Sequence, residues 1–527
     1  MRKPLLFSLL LLSLGAGAAA EPAGDAQAVK AYVTEHSPSQ MVLSSEGEFV
    51  ACFNPAVADW IKQPLTVERL DKIRGILAPH LRIELNKRGF APAATRAEEG
   101  EDETNYDAIW VRDNVWVYYA LLNDPARTSD ARKLLLALWD YYATEPQIER
   151  FQGVINNPEL AEDAMSMPHI RFDGSSPNLA DVYENGKPQV WNHRQIDAHG
   201  LFYTALGEAF EKGLLPATEM TPERARVLAL YPKFLQSIRF YEYEDAGAWE
   251  EIPRRNTSSI GLATRSLQVW TDLLYSGKHP ELTEALMAQV TPELKMSWSH
   301  SSLKRSTKLG LMTVLKQLRE GGESPAYPPD DIHFRRADAA LVALIQPSPL
   351  EGLGEQDMRT ILGIVETLKR PYGVLRYQND SYQGGNYWIR PPAAEGPAPT
   401  GDTSSREAFL WRLSKLPAHS EAQWFFDSLI AMARLHLAEV TDDPHMREQD
   451  LFLAGVHLKR ALGQLTGPGQ IAADGKPVRA WQAPESINTV ILENGHRYYL
   501  ASLITPLNWA KAGLDMALRR YQKMISR

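Results

Sequence analysis

Cysteine is almost absent from this chain, since Cys52 is the only one among 527 residues. An intramolecular disulfide is therefore excluded, and we expect Cys52 to be a small buried hydrophobic residue. Paired-cysteine zinc motifs and the HExxH pattern are also missing, so the sequence predicts no metal site. Basic residues are in deficit: 56 Lys and Arg face 65 Asp and Glu, a formal net charge of −9. That balance excludes the basic surface that nucleic-acid binding requires.

Long apolar runs are missing beyond the first twenty residues, so the sequence predicts no transmembrane helix. Those twenty residues have the pattern of a secretory signal peptide, because Arg2 and Lys3 precede the apolar run LLFSLLLLSLG and small residues at 18–20 supply a cleavage site. No cysteine lies near that site to accept a lipid. We expect residues 1–20 to be removed and the mature protein to be exported, to the periplasm or out of the cell, without a membrane anchor. An uncleaved anchor is the alternative.

Strand-like alternation is scarce, whereas helical periodicity recurs along the chain. In residues 256–277, for example, Ile260, Leu267, Trp270 and Leu274 fall on one helix face. The same pattern predicts helices within 194–215 and near 25–36, 65–81, 113–123, 129–144, 222–240, 281–291, 302–319, 336–345, 355–369, 405–416, 420–438, 446–464 and 506–525. A repeat of 30–50 residues is not visible, which favours an all-α toroid of helix pairs over a helical solenoid.

The long segments between these helices are unusually rich in Trp, Tyr, Asp, Asn, Gly and Pro; they are 92–112, 146–192, 241–255, 371–404 and 465–500. Long loops are uncommon in a compact protein unless they build a binding surface. Their mixture suits a sugar, because aromatic rings pack on the C–H faces of pyranose rings while Arg, Asp and Asn bond hydroxyl groups. A protein interface is the alternative, since Trp and Arg are enriched there as well. Glycoside cleavage would also require two carboxyl groups on opposite sides of the bond.

Five motifs in these loops resemble glycoside hydrolase family 15, the glucoamylases, and the related α and β subunits of phosphorylase kinase. In chain order they are NYDAIWVRDN at 105–114, VWNHRQIDA at 190–198, AWEE at 248–251, RYQNDSYQGGNYW at 376–388, and APES at 483–486 with PLNWAKA at 506–512. The resemblance runs from about residue 100 to 520. It implies an all-α (α/α)6 barrel over 101–527 with long aromatic-rich loops at one end. Residues 21–100 would form a helical leader and the start of the barrel.

The resemblance gives roles to three carboxyl groups. Glu250 matches the general acid, Glu251 the neighbour that bonds the sugar on the leaving-group side, and Glu485 the general base that activates water. An ionised Glu251 would also help to keep the proton on Glu250. Two alternatives stay open. The adjacent glutamates are a solvated charge cluster in the first, and Glu493, in the same long loop as Glu485, is the base in the second.

The resemblance also implies a set of sugar-binding residues. Arg112 and Asp113 match the pair that grips the terminal glucose, and Tyr106 matches a tyrosine beside the reacting carbon. The remaining substrate-binding positions are Trp110, Trp191, Trp249, Glu251, Arg376 and Asp380. For Arg112 and Asp113 the alternative is a buried ion pair that braces the start of a helix.

Three positions depart from the family pattern. Asn192 stands where glycine is usual, Ser486 replaces a frequent glutamine, and Ala510 follows the late tryptophan where serine or threonine is common. The substitution at Ala510 leaves the expected base without a nearby hydroxyl group. All three leave the linkage and the natural substrate open.

The resemblance therefore implies an exported glycoside hydrolase that releases glucose from the nonreducing end of α-glucosides or α-glucans. It would act on an oligo- or polysaccharide by an inverting acid/base mechanism, without a metal or another cofactor. The first alternative is a noncatalytic carbohydrate-binding barrel like the kinase subunits. The second is the same barrel acting on another linkage, as in trehalose or an isomalto-linked glucan.

Overall fold

The protein is mostly helical in a computed structural model that describes residues 39–94, 106–184, 186–384, 405–473, 476–491 and 497–527. The helices are α1 (Pro55–Ile61), α2 (Val67–Leu81), α3 (Val111–Leu122), α4 (Thr128–Tyr142), α5 (Glu145–Asn156), α6 (Ile196–Glu211), α7 (Pro222–Ser237), α8 (Thr257–Tyr275), α9 (Pro280–Met287), α10 (Pro292–Lys295), α11 (His300–Glu320), α12 (Glu355–Glu366), α13 (Arg406–Lys415), α14 (Asp427–Val440), α15 (Pro444–Gly463) and α16 (Asn508–Ile525). The predicted helix at 25–36 and the expected signal peptide lie outside the described residues.

The helices form the expected (α/α)6 barrel, an inner ring surrounded by an outer one. The inner ring consists of α3, α6, α8, the short 3-10 helix Ala339–Leu344, α14 and α16, and most of their residues are buried. The outer helices pack against them: α4 on α3, α11 on α8, α12 on the 3-10 helix, α15 on α14 and α2 on α16. In the outer helix α7, Tyr231 stacks at 3.7 Å on Tyr203 of α6.

Helix α6 (IDAHGLFYTALGEAFE) is mostly apolar and is buried over its whole length except at Glu211, as expected for an inner helix. It crosses α8 closely at Gly200, where a Cβ atom would lie 2.5 Å from the backbone carbonyl carbon of Leu262. Only glycine permits this approach. The glycine therefore fixes how two inner helices meet near the end of the barrel where both begin.

One inner element is shorter than its sequence suggests. The periodicity predicts an α-helix over 336–345, whereas the structure has a 3-10 helix over Ala339–Leu344. The Asp338 carboxylate accepts a hydrogen bond from the Ala340 amide at 2.8 Å and so caps this helix. Side-chain capping of this kind marks where a helix begins, so the element starts at Ala339 and not at Arg336.

Four of the expected loops contain strands: 92–112, 146–192, 371–404 and 465–500. The structure has a five-stranded antiparallel sheet in the order β11-β10-β9-β8-β7. Its strands are β7 (Lys369–Arg370), β8 (Gly373–Val374), β9 (Gln423–Trp424), β10 (Ser486–Ile491) and β11 (Arg497–Ala501). Most of these strands have two residues, too few for an alternating pattern, and β10 is buried on both faces, so periodicity misses them.

The N-terminal region also differs from the expected helical leader. A β-hairpin of β1 (Gln40–Leu43) and β2 (Phe49–Cys52) precedes α1 and α2. Helix α5 lies in the segment 146–192 that was predicted to be a loop, and it buries Ile148, Phe151 and Val154 at helical spacing. The short pairs β3 (Ile109–Trp110) with β4 (Arg171–Phe172), and β5 (Tyr183–Glu184) with β6 (Lys187–Pro188), complete the strands in the described ranges. No described helix is long and apolar enough to cross a membrane.

Candidate active site

The inner helices begin at one end of the barrel, around a cavity whose empty space, including the part open to solvent, is about 700 Å³. Trp110, Phe426 and Leu507, which immediately precede α3, α14 and α16, all line it. The positive ends of these three helix dipoles therefore lie beside the cavity. The expected residues on its wall are Tyr106, Trp110, Arg112, Asp113, Trp191, Trp249, Glu250, Arg376 and Glu485, and Tyr382, Trp424, Phe425, Phe426 and Trp509 add further rings.

Glu250 follows a single 3-10 turn and has a left-handed backbone, with φ 58° and ψ 37°. This conformation costs a non-glycine residue about 1–2 kcal/mol and is found disproportionately at functional sites. The Trp110 indole donates a hydrogen bond to the Glu250 carboxyl at 2.9 Å, and the Arg112 guanidinium lies 3.8 Å away. Burial raises the pKa of Glu250, against the opposing charges of Arg112 and Arg171. The strained turn thus presents a carboxyl group with a raised pKa to the cavity.

Glu251 lies behind the wall of the cavity rather than on it. Its carboxylate accepts hydrogen bonds from Arg335 at 2.9 Å, from Arg376 at 3.2 Å and from the Tyr377 hydroxyl. Burial alone would raise the pKa of Glu251, but the guanidinium groups of Arg335, Arg376 and Arg254 outweigh it and lower the pKa to about 2. Glu251 is therefore an ionised centre that fixes the surrounding arginines.

Replacing Glu251 with glutamine leaves Arg335 and Arg376 without their shared anion, and we expect the free energy of unfolding to fall by about 3–5 kcal/mol near pH 7. Because the folded pKa of Glu251, about 2, is below its unfolded value, this stabilisation is present above about pH 4.3 and is lost as the pH falls towards 2. Urea unfolding at pH 7 and pH 3 measures both effects. Glu242→Gln, an exposed change in the same loop, is the control. A difference that stays the same at both pH values would contradict this role.

Glu485 precedes strand β10 and is also buried against the cavity. The Tyr106 hydroxyl donates to one carboxyl oxygen at 3.1 Å, and the Gln383 amide donates to the other at 2.6 Å. Burial raises the pKa of Glu485 to about 7, although these two hydrogen bonds act against the shift. The ring of Tyr106 lies 5.3 Å from the ring of Trp110, which in turn bonds Glu250. Glu485 and Glu250 are therefore connected along one wall of the cavity through two aromatic side chains.

Arg112 is held in place by groups other than its neighbour Asp113. Its guanidinium donates to the Asp197 carboxylate at 2.7 and 3.3 Å, to Gln195 and to the Gly247 carbonyl at 3.3 Å. The carboxyl of Asp113 lies on the cavity wall, and burial raises its pKa to about 7. A buried ion pair does brace the start of α3, but its anion is Asp197, so Asp113 stays available to the cavity.

Arg376 closes another side of the cavity. It forms a bidentate ion pair with Asp380, with both distances at 2.6 Å, and Asp380 lies behind it. The guanidinium carbon lies 4.7 Å from the ring centre of Trp424 and 5.3 Å from that of Trp249. Trp249 is itself fixed, because its indole donates to Asp338 at 2.8 Å. Asp380 thus fixes Arg376, and Asp338 fixes Trp249, through contacts behind the cavity wall.

Sequence reasoning missed several residues that support the site. Arg171 pairs with Trp110 across β4 and β3, and its guanidinium lies over the rings of Trp110 and Trp191 at 4.7 and 4.1 Å. Arg335 contacts Glu251, and Gln383 contacts Glu485. Gln195 stood within a motif, so a signal was present. Gln383 also lies within a motif, at 376–388, whereas Arg171 and Arg335 act through contacts between distant parts of the chain, for which one sequence gives no signal.

Residues 72–520 match the sequence profile described as glycosyl hydrolases family 15. The chain belongs to this family. Within the described ranges of this family-15 hydrolase, no group of three or more His, Cys, Asp or Glu side chains is placed to hold a metal ion.

Solved structures support the fold of this family-15 hydrolase. A glycosidase variant in complex with glucose is 16% identical, with a TM-score of 0.51 over 87% of this chain and 97% of that chain. A second glycosidase variant aligns over the same shares of the two chains, also at 16% identity and a TM-score of 0.51. At this identity the likeness concerns the barrel alone.

Two Escherichia coli (strain K12) proteins match parts of the chain. "Uncharacterized lipoprotein YgeQ" is 45% identical over 148 residues, which are 27% of this chain and 56% of YgeQ. "Putative protein YgeP" is 33% identical over 87 residues, 16% of this chain and 88% of YgeP. The chain therefore spans little more than half the length of YgeQ.

Proposed function

We propose that this family-15 hydrolase is an exported exo-α-glucosidase that releases glucose from the nonreducing end of α-glucosides or α-glucans with inversion at the anomeric carbon. One observation carries the proposal. Glu250 and Glu485 come from loops more than 200 residues apart, yet both line one cavity, and burial raises the pKa of each. Inverting glycosidases need such a pair of carboxyl groups, about 6.5–9.5 Å apart so that a water molecule fits beside the sugar.

In this mechanism the Glu250 carboxyl gives its proton to the glycosidic oxygen as the bond from that oxygen to the anomeric carbon breaks. Water attacks the anomeric carbon from the opposite face, and its proton passes to the Glu485 carboxylate. The new C–O bond has the β configuration, and the aglycone leaves as an alcohol. Exchange with solvent restores the proton on Glu250 and removes the one on Glu485. Raised pKa values suit these roles, because a general acid or base works best when its pKa lies near the pH of the reaction.

The cavity offers groups for one terminal sugar. Arg112 and Asp113 stand together at the start of α3 and would bond adjacent hydroxyl groups, while Trp110, Trp191 and Trp249 present aromatic rings. Arg112 is already held by Asp197, so little side-chain freedom is lost when it binds. A solved glycosidase variant with a similar barrel is in complex with glucose, which agrees with glucose as the sugar of this proposal.

Export follows from the signal-like first twenty residues, and the name of YgeQ as a lipoprotein agrees with a place in the cell envelope. We propose the periplasm or the cell exterior. The chemistry needs no cofactor, because the two carboxyl groups and water supply every proton and the nucleophile.

Glucose release tests the proposal. Purified protein is incubated with maltose, isomaltose, trehalose and a maltooligosaccharide, and free glucose is measured against Glu250→Gln and the exposed control Glu242→Gln. We expect the parent protein and the control to release glucose alone from the oligosaccharide, and Glu250→Gln to release almost none. A preference for trehalose or isomaltose would change the proposed linkage but would leave the proposed mechanism as it is. Saturable binding without release would instead support the noncatalytic carbohydrate-binding barrel.

A further inference from the structure

Gln383 makes a contact that the proposed reaction does not yet explain. Its side-chain amide donates to the second oxygen of Glu485 at 2.6 Å, and the residue is fully buried. We propose that Gln383 is a positioning residue for Glu485, whose amide holds the carboxyl group in the orientation that accepts a proton from water. The inference rests on the proposed function, because it assigns Gln383 to the base of that reaction.

The orientation of the amide is fixed by two further contacts. The Ser486 hydroxyl donates to the Gln383 side-chain oxygen at 2.8 Å, and the Asn488 amide donates to the Gln383 backbone carbonyl at 2.7 Å. Because the amide oxygen is taken by a donor, the NH2 group must face Glu485. Ser486, Gln383 and Glu485 therefore form a directed chain of hydrogen bonds that ends on the carboxylate.

The backbone at Gln383 is left-handed, with φ 58°. A non-glycine residue in this region is strained and persists where the surroundings require it. The same turn also supports the other side of Glu485, since the Tyr382 hydroxyl lies 3.1 Å from that of Tyr106, which donates to Glu485. Two consecutive residues of one strained turn thus act on both oxygens of the proposed base.

This arrangement accounts for two departures from the family pattern. Ser486, where glutamine is frequent, orients the Gln383 amide. Ala510 has no hydroxyl group where serine or threonine is common, and the Gln383 amide donates to Glu485 from a different loop. One glutamine therefore connects both substitutions to the same carboxyl group.

Gln383→Asn is the most informative variant. Asparagine tolerates the left-handed backbone better than other non-glycine residues, but its side chain is one methylene shorter, so the amide no longer reaches Glu485. A hydrogen bond to a carboxylate favours the charged form, so its loss raises the pKa of Glu485. We expect kcat to fall about 10-fold with little change in KM, and the acidic limb of kcat/KM to move up by about one pH unit. Gln378→Asn, an exposed glutamine of the same loop, is the matched control.

A second readout does not depend on catalysis. The folded pKa of Glu485, about 7, lies above its unfolded value because of burial. Its ionisation therefore lowers stability as the pH rises from about 4.3 through the folded pKa, and Glu485→Gln removes this loss. The difference in unfolding free energy between the parent protein and Glu485→Gln, measured from pH 4 to 9, reports the folded pKa of Glu485. Repeating the pair with Gln383→Asn present should move this transition up by about one pH unit.

The two readouts separate the inference from the proposed function. A shifted stability profile in a protein that cleaves none of the sugars would support the contact and overturn the reaction. An unchanged profile with an unchanged acidic limb would overturn the positioning role, as would a change confined to KM. If Gln383→Asn does not fold, Ser486→Ala keeps Gln383 and its backbone but frees the amide to rotate. It should give a smaller shift in the same direction, and no shift there would also overturn the role.

Discussion

Glu250→Gln lowers kcat on maltose-type substrates by about 10²–10⁴-fold, the usual contribution of a general acid. The amide has nearly the same shape as the carboxyl group and can still accept the hydrogen bond that Trp110 donates at 2.9 Å. Sugar binding should therefore change little, so KM stays within a few-fold of the parent value. What is lost is the proton, because an amide cannot transfer one to the glycosidic oxygen.

A change of leaving group isolates this effect. Fluoride departs without protonation, so α-glucosyl fluoride should be cleaved by Glu250→Gln at a rate close to that of the parent protein. With Glu250 removed, the rate should rise with pH as Glu485 ionises, because burial raises the pKa of Glu485 to about 7. Equal losses on maltose and on the fluoride would contradict the assignment of Glu250 as the acid.

Glu485→Ala should lower kcat by a similar factor of about 10²–10⁴ on every substrate, including the fluoride, because water activation is needed whatever group leaves. The smaller side chain leaves room for a small anion on the side from which water attacks. Added azide should therefore restore turnover of α-glucosyl fluoride and give β-glucosyl azide.

The matched comparison for this variant is Glu493→Gln, since Glu493 is the other candidate base and lies outside the described residues. The account expects Glu493→Gln to keep most of the parent activity. A large loss in that variant, together with an active Glu485→Ala, would transfer the role of base to Glu493. An azide product of the α configuration would contradict the inverting mechanism itself.

Much of the barrel follows from the sequence because most inner helices are long and their apolar residues recur at helical steps. Helix α8 was predicted within 256–277 and occupies Thr257–Tyr275, for the reason that its apolar positions recur at helical steps. A helix was predicted over 336–345, whereas the structure has a 3-10 helix over Ala339–Leu344, which begins at the Asp338 cap. Strands of two residues leave no pattern to detect.

Part of the candidate site was likewise predicted from the sequence, and part was not. Loop motifs at the starts of inner helices were expected to meet, and the structure brings Tyr106, Trp110, Glu250 and Glu485 to one cavity. The placement of Glu251 behind the wall depends on Arg335, which is 84 positions away in the chain. The contact between Gln383 and Glu485 joins residues 102 positions apart. Contacts of this kind are set by packing, and a single sequence does not encode them in any local spacing.

A single displacement at the anomeric carbon inverts its configuration, so the configuration of the fresh product tests the proposed mechanism. Proton NMR spectra are recorded during the first minutes of the reaction with the substrate that is cleaved fastest, and Glu250→Gln serves as the blank. The account predicts that β-glucose appears first and that α-glucose grows in later, at the rate of mutarotation. α-Glucose as the first product would contradict the mechanism and the roles assigned to Glu250 and Glu485.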